Sequence, residues 1–142
     1  MRLAVVAVGK IKEASLRAVA DDYLGRLRHY VRCDETEVKK PEELERALPK
    51  DALVVALEVD GDAPTSRELA TRVERWTARG KGTVAFVIGG AEGIPAPLSA
   101  RADARLSLSK LTLPHRLARV VLYEQLYRSF TILRGEPYAR ED

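Results

Sequence analysis

Three short apolar runs limit what this chain can fold into: Arg2–Val8 (RLAVVAV), Ala52–Val59 (ALVVALEV) and Thr83–Ile88 (TVAFVI). None alternates between apolar and polar residues as a strand with one wet face does, so each reads as a strand covered on both sides. Helical patterns separate them. Leu16, Val19, Tyr23, Leu27 and Val31 recur at spacings of three and four and predict an amphipathic helix over about Ala14–Tyr30. Cys33–Val38 reads as a short edge strand, and Pro41 opens a small helix through Leu48. Thr65-Ser-Arg-Glu68 has the form of a capping box for a helix carrying Leu69, Val73 and Trp76 and ending at Gly80. A short helix near Pro97–Ala102, a fifth strand over Arg105–Ser109 and a long helix from Pro114 to Leu133 complete the series. Alternating strands and helices make an α/β fold with a mainly parallel sheet and helices on both faces.

At 142 residues the chain is expected to form one domain, 1–142. No apolar run approaches the roughly 20 residues of a membrane span, and Met1–Lys10 shows no signal-peptide cleavage pattern, so the expected compartment is the cytoplasm. Cys33 is the sole cysteine and only His29 and His115 accompany it, so neither an intrachain disulfide nor a zinc site is expected. The net charge of +3 is unevenly placed. Residues 1–32 hold seven Lys/Arg against three acids, 33–99 hold nine against thirteen, and 100–142 hold eight against five. Two basic ends that meet in space would form a positive face suited to nucleic acid.

Ligands of parallel sheets sit at the carboxyl ends of strands, which directs attention to the loops after Val59, Ile88 and Ser109. Gly89, Gly90 and Gly93 follow one strand and either serve a tight turn or let backbone approach a ligand. Their spacing matches neither a Walker A loop nor a dinucleotide fingerprint, which argues against a nucleoside triphosphate. Leu108-Ser-Lys-Leu-Thr-Leu113 leaves a strand still apolar, as a buried loop would, and its backbone groups would pair with an adenine edge or simply pack in the core. The Pro114–Leu133 helix is apolar around much of its circumference, which suggests a second subunit as its cover. Glu124 and Arg128 stand at i and i+4 on it and either pair with each other or act on a substrate. Tyr138 and Arg140 in the tail suit base stacking and phosphate contact. His115, at a helix N-terminus, reads as a structural hydrogen-bonder.

Together the segments Val6-Ala-Val-Gly-Lys-Ile-Lys12, Val87-Ile-Gly-Gly-Ala-Glu-Gly93, Leu106-Ser-Leu-Ser-Lys-Leu-Thr-Leu-Pro-His115 and Arg119-Val-Val-Leu-Tyr-Glu-Gln-Leu-Tyr-Arg128, with Pro137-Tyr138, resemble the bacterial 23S rRNA pseudouridine N3-methyltransferase family of the SPOUT superfamily. The resemblance covers essentially the whole chain. It implies a deep trefoil knot within about residues 84–138, a rarity that strand counting does not choose. It implies S-adenosylmethionine held by Leu57, Gly89, Leu108, Ser109, Lys110, Leu111, Thr112 and Leu113, and a homodimer with the site at its interface. Arg128 and Tyr138 would stand near the target base, a pseudouridine in a stem-loop of 23S rRNA met on the assembled ribosome. The family usually closes with Tyr-His and a basic residue, whereas this chain has Tyr138-Ala139-Arg140, leaving the proton acceptor for N3 unassigned. That departure is the main support for a different reading, a non-catalytic ribosome-binding or assembly factor on the same fold.

Overall fold

The computed structural model describes residues 1–79 and 82–139, so the expected helix end at Gly80 and the tail arginine Arg140 lie outside the described residues. Five strands, β1 (Arg2–Val8), β2 (Arg32–Val38), β3 (Leu53–Asp62), β4 (Thr83–Ile88) and β5 (Ala104–Leu106), form one sheet in the order β2-β1-β4-β3-β5. Every pairing in it is parallel. The runs read from the sequence as fully covered strands are the central ones, β1, β4 and β3, and the polar β2 is an edge as expected.

The helices α1 (Ala14–Leu27), α3 (Ser66–Arg79) and α5 (His115–Leu133) pack against one face, and the short α2 (Leu44–Ala47) and α4 (Ala96–Arg101) against the other. Side chains alternate across each strand, so Leu3, Val5, Val55, Phe86 and Ile88 enter the larger core and Val6, Val54 and Val87 the smaller one. Trp76 of α3 meets Phe86 edge-on at 6.1 Å between ring centroids. Each such fully buried large apolar side chain stabilises the fold by about 1.5–3 kcal/mol. The capping box forms as expected: the Glu68 N–H donates to Thr65 Oγ1 at 3.1 Å, and the Thr65 N–H to Glu68 Oε1 at 2.8 Å. No described helix is long and apolar enough to cross a membrane.

Several expectations need correction. The first helix stops at Leu27, because the backbone tightens into i→i+3 bonds at His29 and Tyr30 before dropping into β2. Pro41 opens a 3-10 turn (Pro41–Glu43) that leads into α2 rather than one continuous helix. β5 ends at Leu106 instead of Ser109; the Ser107 hydroxyl donates to the Ser109 carbonyl and the chain leaves the sheet there. α1, α3 and the sheet of the same chain cover much of the apolar surface of α5, including Val120, Leu122, Leu126 and Phe130, while Leu117 and Leu133 stay exposed at 39% and 37%.

Candidate functional site

The ends of β3, β4 and β5 open onto a cavity of about 650 Å³, within the range of small-molecule sites. Two of the loops singled out in the sequence contribute to its wall, Gly89–Ala91 with Gly93 and Ile94, and Leu108–His115 except Lys110; at the third place the strand expected to end at Val59 runs on to Asp62, and its own residues Leu57–Asp60 line the cavity. Of the residues implied as cofactor contacts, Leu57, Gly89, Leu108, Ser109, Leu111, Thr112 and Leu113 line this one space. Lys110 is exposed and stands outside the wall. The loop they share is not buried as expected, since Lys110, Leu111 and Thr112 are all exposed, with Leu111 at 77%. A local bond, from the Leu111 N–H to Ser109 Oγ at 3.0 Å, ties its tip down.

The glycine turn serves the chain's own packing first. A Cβ on Gly89 would lie 2.4 Å from the Gly93 carbonyl carbon, and Gly93 itself holds φ +79°, a conformation side chains rarely adopt. The turn can therefore fold back tightly at the cavity edge.

Two acidic residues missed in the sequence, Glu58 and Asp60, complete the wall; their place at the end of the strand run Ala52–Val59 was the available signal. Arg105 of β5 bridges them from behind, 2.9 Å from Glu58 and 2.7 Å from Asp60, and its hydrogen bond and charge hold the Asp60 carboxyl below its usual range. Ser99 of α4 donates to Glu58 at 2.6 Å. Among the described residues, those lining the cavity include no lysine or arginine. His115, at the head of α5, is held below the usual imidazole value by burial and by the neighbouring cations Arg116 and Arg119, so it stays neutral near pH 7.

Arg128 and Tyr138 meet elsewhere. The Glu124 carboxylate accepts from Arg128 at 2.7 Å and from the Tyr138 hydroxyl at 2.8 Å, and the Arg128 guanidinium lies 5.0 Å over the Tyr138 ring. The i,i+4 pair read from the sequence thus forms, with Tyr138 as a third member. Gln125 donates to Glu124 and accepts from Ser66 of α3, which fixes the group to the core helices. Burial and the bond to Glu124 push the Tyr138 phenol above its usual value. Along α5, Arg128 is ten residues beyond Ala118, the last cavity residue on that helix, a rise of about 15 Å.

A buried network that the sequence reading did not anticipate joins α5 to α1, β2 and the end of β1. Arg119, 1% exposed, donates to Glu35 and Glu37 of β2 and to the Gly9 carbonyl at 2.7 Å, while the Tyr123 hydroxyl donates to Glu35. Arg17 of α1 pairs with Glu35 at 3.0 Å. An arginine between Leu117 and Val120 on an apolar helix was the signal for it. Among the described residues, no group of three or more His, Cys, Asp or Glu side chains is placed to hold a metal ion.

Residues 1–139 match the family described as "Predicted SPOUT methyltransferase". The chain belongs to the SPOUT methyltransferase family. Curated relatives of this SPOUT chain include the "Ribosomal RNA large subunit methyltransferase H" of Sorangium cellulosum (strain So ce56), 57% identical with 98% of this chain and 99% of the relative covered. The protein of the same name from Shouchella clausii (strain KSM-K16) is 43% identical, with 97% and 99% covered. A solved structure of a probable methylase family protein from Haemophilus influenzae Rd KW20 shares the fold at a TM-score of 0.57 and 13% identity, with 98% of this chain and 69% of that chain covered.

Proposed function

We propose that this SPOUT chain is an S-adenosylmethionine-dependent rRNA methyltransferase that modifies N3 of a pseudouridine in a 23S rRNA stem-loop on the assembled ribosome in the cytoplasm. The observation that carries the cofactor assignment is the charge of the cavity, where two acidic side chains with one arginine behind them line a wall without lysine or arginine among the described residues. Such a wall repels a triphosphate and suits a cationic sulfonium compound. Leu57, Gly89, Leu108, Ser109, Leu111, Thr112 and Leu113 would hold it, with Lys110 just outside. When bound, S-adenosylmethionine supplies an electrophilic methyl group on a positively charged sulfur. The rRNA assignment is supported by relatives matched over nearly their full length that carry that activity in their names.

The N3–H of a pseudouridine is weakly acidic, so the reaction needs a base or a field that favours the anion. Tyr138 keeps its proton near neutral pH and therefore serves as a hydrogen-bond donor and stacking ring, not as a phenolate base. Arg128 beside it, its charge matched by Glu124, holds the Tyr138 ring in place and would position the target base. The separation of this pair from the cavity within one chain supports a homodimer in which one protomer's tail serves its partner's cavity. The same reading carries a deep trefoil knot within about 84–138 of a single domain, 1–142.

Calorimetry should show S-adenosylmethionine binding and no ATP binding; the opposite preference would remove the cofactor assignment. Tyr138→Phe and Arg128→Ala should each lower the single-turnover rate with ribosomes by about 10²–10³-fold while leaving cofactor affinity intact. Full rates in both variants would remove their assigned roles.

A further inference from the structure

The segment Gly9-Lys10-Ile11-Lys12 takes no part in the cavity wall, yet it lies beside it. β1 and β2 run in register to Val8 and Val38, and the Gly9 N–H donates to the Val38 carbonyl at 2.7 Å. Lys10 and Lys12 therefore leave the same sheet edge as Lys39 and Lys40, from strands about 4.8 Å apart. All four are exposed. On its other side β1 adjoins β4, and Gly90, two residues past the end of β4, lines the cavity and would bring a Cβ within 3.1 Å of Val8. A Cβ on Gly9 would come 3.9 Å from Nε2 of the cavity residue His115.

The two basic ends of the chain do meet, but their arginines are largely neutralised within the protein. Arg17, Arg26, Arg116, Arg119 and Arg128 each pair with a carboxylate. The acids of β2 are matched as well, Asp34 by Arg2 and Arg32, and Glu35 and Glu37 by Arg17 and Arg119. Lys10, Lys12, Lys39 and Lys40 make no ion pair among the described residues. Of the flanking acids, Glu13 is held by Arg116 and also feels the charge of Lys12, and Glu43 turns back to accept the Lys39 and Lys40 N–H groups; Glu42 adds one exposed negative charge. Across the carboxyl edge, lysines thus stand at β2 and β1, the glycine turn at β4, and Glu58 and Asp60 at β3.

We infer that Lys10, Lys12, Lys39 and Lys40 form a phosphate-binding rim that holds the backbone of the RNA substrate beside the cavity. The inference rests on the proposed rRNA methylation and adds the surface that docks the substrate. Flexible ammoniums on loops suit phosphates, which are read as point charges without sequence information. The rim and the acidic wall divide the sheet edge between an anionic substrate and a cationic methyl donor.

The test replaces all four lysines (Lys10→Gln, Lys12→Gln, Lys39→Gln, Lys40→Gln) and compares a charge-matched variant at the opposite edge (Arg46→Gln, Lys50→Gln, Arg75→Gln, Arg79→Gln). The lysine variant should raise KM for unmodified ribosomes about tenfold or more, with kcat and S-adenosylmethionine affinity unchanged. Its binding to protein-free 23S rRNA should lose about three units of log–log salt slope, from four lost single-strand contacts. The control should change neither. An unchanged KM and slope, an equal effect in the control, or a KM effect with ribosomes and none on protein-free rRNA would each overturn the rim. If the unsubstituted protein neither methylates ribosomes nor binds rRNA, the functional reading falls and the rim with it.

Discussion

At the scale of single residues, the tightest constraint lies at Arg119, whose buried guanidinium is the counter-charge for Glu35 and Glu37 and the anchor of the Gly9 carbonyl. Removing one partner of a buried pair leaves an uncompensated charge, so Arg119→Met should cost about 3–5 kcal/mol in urea denaturation. Glu35 gives this network a pH dependence. Burial pushes its carboxyl up, but hydrogen bonds from Tyr123 and Arg17 and the charges of Arg17 and Arg119 hold it below its usual 4.5. Its contribution is therefore present above that value and lost as the pH falls, and Glu35→Gln should flatten the acid limb of the stability profile. Cys33 acts at the other end: burial pushes its thiol up to about 12. The stability this buried thiol lends is intact below about pH 9 and lost as pH rises toward 12, so Cys33→Ala should make the alkaline limb less steep.

At the scale of elements, local chemistry and tertiary geometry divide the outcome. The Thr65–Glu68 box was legible because it uses only four consecutive residues, and Thr65→Ala should cost about 1 kcal/mol on thermal denaturation. The covered strands were legible from their unbroken apolar runs. The Leu108–Leu113 loop was misread as buried because an apolar composition does not say whether a loop faces the core or the rim of a cavity. The cover of α5 was legible only in part: the pattern shows that most sides are apolar but does not tell the sides packed by α1 and α3 of the same chain from those left exposed at Leu117 and Leu133. Glu58, Asp60 and the Arg119 network escaped notice because their partners lie tens of residues away in sequence. Gly89→Ala should fail to fold or lose the cavity turn, since the clash is with backbone rather than a movable side chain.

At the scale of the whole molecule, charge placement ties the fold to its proposed work. The two basic ends meet, but salt bridges neutralise most of their arginines, and of the exposed lysines that follow β1 and β2 only Lys10 and Lys12 belong to a basic end, Lys39 and Lys40 coming from the acidic middle of the chain. Motif order along the chain made the SPOUT family legible, and the parallel sheet with its carboxyl-edge cavity agrees with that membership. The central claim is that this molecule methylates 23S rRNA. The direct measurement incubates the protein with radiolabelled S-adenosylmethionine and ribosomes lacking the modification, then maps the label by nuclease digestion and mass analysis. The account predicts label on N3 of a single pseudouridine in a 23S rRNA stem-loop; no incorporation into 23S rRNA would contradict it.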